Sequence, residues 1–133
     1  MRAATLALLC TLPFSASAQD APVNMTCVLD VLCPDVAPCR DWDQVITIME
    51  GSEGWQVNWD EDLPSDYTLI GDYLPEPDAV RQVRVRSLAF LNEATQSTQV
   101  ISFDSTGHVV VTFHQPQAGT RMVSGLGSCE LAG

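Results

Sequence analysis

From residue 45 onward apolar and polar positions alternate with period two, and β-branched and aromatic residues fill many of the apolar positions. Successive side chains of a strand point to opposite faces, so this pattern predicts one strand after another. Segments 45–49 and 55–59 flank Gly51-Ser52-Glu53-Gly54, read as a hairpin loop. In the second segment Trp55, Val57 and Trp59 share an apolar face, with Gln56, Asn58 and Asp60 on the wet one. Residues 68–74 form a third strand stopped by Pro75 and Pro77, and a fourth runs from about 80 to 91, where Val83 and Val85 face opposite to Arg84 and Arg86.

The clearest hairpin covers residues 99–114 and turns at Asp104-Ser105-Thr106-Gly107. A type I turn closed by Gly107 in a left-handed bulge pairs Phe103 with Val109. It thereby gathers Ile101, Phe103, Val109, Val111 and Phe113 on one face. A plain four-residue loop would split that set, losing roughly 1.5–3 kcal/mol for each large side chain left exposed. The bulge is therefore expected. A last strand, 121–131, contains Gly125 and Gly127, and glycine inside a strand marks a bend or bulge. The fold expected is all-β: an antiparallel meander of six or seven strands forming a small barrel or two-layer sandwich. Segment 19–43, with three prolines and a cysteine cluster, reads as an irregular, disulfide-stapled lead-in.

The chain begins differently. Arg2 precedes an apolar run over residues 3–14 and a small-residue stretch, Ser15-Ala16-Ser17-Ala18. This order is that of a secretory signal peptide, cleaved after Ala18. The run is shorter than the roughly 20 apolar residues of a membrane span. Residues 19–133 are expected to form a single exported domain without a membrane span, periplasmic or secreted.

Cleavage changes the composition in two ways. Cys10 is lost, leaving Cys27, Cys33, Cys39 and Cys129, an even set for two disulfides in an oxidising compartment. Three pairings are open. The preferred one joins Cys27 to Cys129 and Cys33 to Cys39, since Pro34 and Pro38 make the short loop compact. Arg2 is lost too, so five arginines and no lysine face 17 carboxylates, a formal charge of −12. That charge disfavours nucleic acid and favours encounter with a cationic partner.

Candidate chemistry is sparse. The spacing C-x5-C-x5-C does not suit zinc. His108 and His114 lie six residues apart on one expected outer face, about 20 Å, too far to share a metal. Asp60-Glu61-Asp62, Asp66 and Asp72 lack the glycine turn of a calcium loop and read as a solvated acidic run. No G-x-S-x-G or phosphate loop is present, and the thiols are expected to be oxidised, so neither catalysis nor a cofactor is expected. Arg81, Arg84 and Arg86 cluster on one strand; Arg84 and Arg86, on the same face, could grip an anion or pair across strands with Asp or Glu. Trp42, Trp55 and Trp59 are expected in the core, with Trp55 and Trp59 as possible lining of a ligand site.

The C-x5-C-x5-C segment, the β meander and the ending Ser124-Gly125-Leu126-Gly127-Ser128-Cys129-Glu130 resemble small exported proteins of alphaproteobacteria, of unknown function, that end in Gly-x-Cys-Glu. The resemblance implies an address in the bacterial envelope and supplies no function. Two readings follow. One is a non-catalytic domain acting through protein contacts, in its sharper form inhibiting a cationic hydrolase. The other is a β-barrel that binds a small molecule.

Overall fold

The chain forms eight antiparallel strands in a computed structural model that describes residues 22–60, 63–117, 119 and 121–132. The proposed signal peptide lies outside the described residues. The strands are β1 (Asn24–Pro34), β2 (Arg40–Gly51), β3 (Gly54–Trp59), β4 (Ser65–Tyr73), β5 (Val85–Asn92), β6 (Ser97–Asp104), β7 (His108–His114) and β8 (Met122–Leu131). Each pairs with the next, and β8 pairs back onto β1, closing a barrel. Among the described residues no helix is long and apolar enough to cross a membrane.

The strand count exceeds the six or seven expected, because the stapled lead-in is itself β. Met25, Cys27 and Leu29 are buried and alternate with exposed Asn24, Thr26, Val28 and Asp30, a period-two pattern. The pattern breaks at Asp30, where the register of β1 shifts against both β2 and β8. A bulge inserts one residue and reverses the alternation beyond it, which is why segment 24–34 does not read as one strand. The fourth strand is shorter than expected: β5 begins at Val85, and residues 80–84 lie outside any strand.

The 99–114 hairpin follows the bulged register, with Phe103 opposite Val109 and Ile101 opposite Val111. Gly107 takes φ +94°, and a Cβ there would lie 2.7 Å from the carbonyl oxygen of Cys129. The same carbonyl-to-amide approach lets Cys129 N donate to Gly107 O at 2.7 Å, so the turn leans onto β8. Gly125 and Gly127 serve close approach. A Cβ on Gly125 would sit 2.6 Å from the Trp42 ring, and one on Gly127 would collide with the backbone of Val28.

Both disulfides form in the preferred pairing, Cys27–Cys129 across the β1–β8 seam and Cys33–Cys39 at the end of the β1–β2 hairpin. They fit a chain that folds outside a reducing cytoplasm. The first closes a separation of 102 residues and the second one of 6.

In the chain-entropy description, opening the long loop with Cys27→Ala/Cys129→Ala should cost about 4.7 kcal/mol, and Cys33→Ala/Cys39→Ala about 2 kcal/mol. Urea titrations of the two double variants test that order. Gly107→Ala should destabilise by about 1–3 kcal/mol. Gly54→Ala, at φ 138° but with nothing within 4 Å, should cost less. Equal shifts in the two urea midpoints would show that the contact with Cys129 contributes nothing.

Candidate functional site

The two ends of the barrel differ. At one end the rings of Trp42, Trp59 and Phe113 meet, with centroids 5.3 Å apart for Trp59–Phe113 and 6.4 Å for each ring against Trp42. Trp59 Nε1–H donates to Tyr67 Oη at 3.1 Å, and Tyr67 Oη–H donates to Gln99 Oε1 at 2.6 Å. Tyr67 also stacks on Phe90. Burial pushes the Tyr67 hydroxyl above the usual tyrosine pKa, opposed by the Trp59 hydrogen bond. Next to this plug, the side chains of Leu29, Ile46, Ile48, Val57, Leu88, Ile101, Val109 and Val111 are sealed from solvent. A small barrel is filled by its own side chains, and here the filling leaves the opposite end as the place for a cleft.

That end holds a half-open cleft of about 570 Å³. Val23, Met25, Phe103, Leu131 and Cys129 supply its apolar wall, and Arg84, Arg86, Gln82 and the turn Asp104–Gly107 its polar side. Trp55 stands behind Phe103, their ring centroids 5.7 Å apart.

Arg86 points inward. It lies opposite Phe103 on β6, two residues before the buried Leu88, so it shares the inner face of β5. Its side chain is only 12% exposed, and its guanidinium carbon lies 5.6 Å over the Trp55 ring. Of the expected alternation Val83-Arg84-Val85-Arg86 only Val85 and Arg86 lie in β5, and of these two it is Arg86 that faces the barrel. Asp72 faces Arg86 across the β4–β5 ladder, because the register shifts between Leu69 and Gly71 and leaves Ile70 as an extra residue. Arg84 grips Asp72 with both ends of its fork: Nε donates to Oδ1 at 2.8 Å and Nη2 to Oδ2 at 2.7 Å. Arg86 Nε stands 3.8 Å from the same carboxylate, outside hydrogen-bond range. The Arg84 hydrogen bonds, helped by the charges of Arg84 and Arg86 and opposed by partial burial, hold the Asp72 carboxyl below the ordinary aspartate range.

Of the four residues singled out in the sequence, the structure brings Trp55, Arg84 and Arg86 to the open end. Trp59 is packed in the aromatic plug, four residues and about 13 Å further along β3. Asp72 belongs with the arginines rather than with the acidic run. The signal that would have placed it was a bulge, which a period-two reading does not detect. Asp60 accepts from Gln44 Nε2, and Asp66 from Gln56 Nε2. Glu61 and Asp62 lie outside the described residues.

His108 and His114 are both exposed on the outer face. His108 Nδ1 lies 3.2 Å from Asp104 Oδ2 and 2.8 Å from Thr106 Oγ1. Burial acts to raise the Asp104 carboxyl, but hydrogen bonds from Thr106 Oγ1 and the His108 and Thr106 amides outweigh it and leave the pKa lowered. Among the described residues no three His, Cys, Asp or Glu side chains gather as a metal site.

Comparisons with protein-family models, curated proteins and solved structures return no match for this chain.

Because the folded-state pKa of Asp72 is depressed, its contribution to stability is present above the unfolded aspartate value of about 3.9 and is lost as pH falls through the lower folded value. Asp72→Asn should therefore flatten the fall of stability below about pH 4. Urea midpoints of both proteins across that range check it, and parallel acid limbs would contradict the pairing.

Proposed function

We propose that this protein is an exported, non-catalytic binding module that takes a small organic molecule at the open end of its barrel. The observation that carries this reading is Arg86, a mostly buried cation on the inner face of the barrel, set over the Trp55 ring and beside the apolar wall of the cleft. A charged group turned into an apolar cleft has a desolvation cost, which a ligand of opposite charge would offset. The cleft volume falls in the range of about 300–1,000 Å³ typical of small-molecule sites. The signal sequence and the disulfides support an address outside the cytoplasm, in the periplasm or beyond. The Gly-x-Cys-Glu ending supports a place among the exported alphaproteobacterial proteins it resembles.

A second reading has a separate observation in its favour. Asp30, Asp41 and Asp43 are all exposed on the outer face of β1 and β2, and the mature charge is −12. This surface would steer a cationic protein, such as a hydrolase held inactive by the contact, toward the barrel wall. The analogy to inhibitors of that kind rests on fold and charge alone.

Native mass spectrometry of protein purified gently from its host separates the two. Small-molecule binding predicts an added mass of a few hundred daltons that is lost on denaturation. A clean mass, together with a basic partner captured at low salt and released at high salt, would favour the second reading and count against the first.

A further inference from the structure

Charge bookkeeping at the open end specifies the ligand further. Resting on the small-molecule reading above, we infer that the cleft takes a singly charged anion with an apolar body, its head on Arg86 and its body against Met25, Phe103 and Leu131.

The carboxylates around the cleft are already engaged. Asp72 is held by the two hydrogen bonds from Arg84. Asp104 accepts from Thr106 Oγ1 and from the amides of Thr106 and His108 within its own turn. Glu50 Oε2 accepts from the Val23 amide at 3.1 Å. Arg86 is different. It carries five N–H donors, yet its contacts among the described residues are the Trp55 ring at 5.6 Å and Asp72 at 3.8 Å, neither of them a hydrogen bond. Arg86 lines the cleft, and none of its nitrogens is a buried atom without a partner, so its donors remain accessible there. A carboxylate or similar planar anion matches the guanidinium fork with two parallel bonds. A second negative charge would meet the field of Asp72 and Asp104 instead of another uncommitted cation. A cationic head would be repelled by Arg86. The apolar wall opposite gives the rest of the molecule its place, and the Trp55 face beneath holds the guanidinium in position for the head group.

Three probes of equal chain length separate the possibilities: decanoate, decanol and decyltrimethylammonium, titrated into the mature protein below their micelle concentrations and followed by calorimetry. Decanoate should bind about tenfold more tightly than decanol, with decyltrimethylammonium weakest. Arg86→Met should bring decanoate down to the level of decanol and leave decanol unchanged. Arg86→Lys should retain part of the preference, and near-native urea midpoints for both variants show that they fold. Equal binding of decanol and decanoate to the unsubstituted protein would overturn the anion assignment and leave the open-end site standing. An undiminished decanoate preference in Arg86→Met would overturn the role of Arg86. No binding of any probe would overturn this inference, while a ligand found by native mass spectrometry would still uphold the reading on which it rests.

Discussion

Everything in this molecule depends on the seam between β1 and β8. A meander of eight strands ends with two unpaired edges unless the last strand returns to the first, and an open edge exposes a row of unsatisfied backbone groups. Here the seam is made by direct pairing from Met25–Leu131 to Pro34–Val123 and is locked by Cys27–Cys129. Gly127 lets the two backbones meet where the Asp30 bulge shifts the register, and Gly125 leaves space for the Trp42 ring inside. The Gly107 turn rests on Cys129 from the other side. Closure thus draws on the first strand, the last strand and a hairpin between them.

Once the sheet is closed, each strand has only one interior face, and the parity of the sequence decides what fills it. Aliphatic side chains pack the centre and aromatic rings plug one end. At the other end the inner positions of β5 and β4 fall to Arg86 and Asp72. The Ile70 bulge is what turns Asp72 toward Arg86, and Arg84, just before β5 begins, then secures that carboxylate. The consequence is a cleft with an apolar wall and a guanidinium, that of Arg86, which makes no hydrogen bond among the described residues. Structure and proposed function meet in this detail.

Much of the fold was legible in the sequence, since a half-buried strand leaves a period-two trace. The hairpin register followed from keeping Ile101, Phe103, Val109 and Val111 together, and the disulfide pairing from the compactness of the Cys33–Cys39 loop. What escaped the pattern was displaced by bulges. β1 was obscured because one extra residue at Asp30 reverses its alternation among the cysteines. Asp72 seemed part of an acidic run because its partner strand and its bulge are both non-local facts. Arg86 and Trp55 could be named as candidates from residue type. Their meeting, and the separation of Trp59 from them, required the three-dimensional register. Valine and arginine alternate equally well whichever of them faces in.

The seam can be tested without reference to any ligand. Amide hydrogen exchange followed residue by residue would report whether β1 and β8 are interior strands or edges. Closure predicts that the amides turned toward the seam, those of Thr26, Val28, Ser128 and Glu130, exchange as slowly as Ile101 and Val111 at the centre of the β6–β7 hairpin. Fast exchange at these four amides would contradict the closed barrel and with it the inward placement of Arg86.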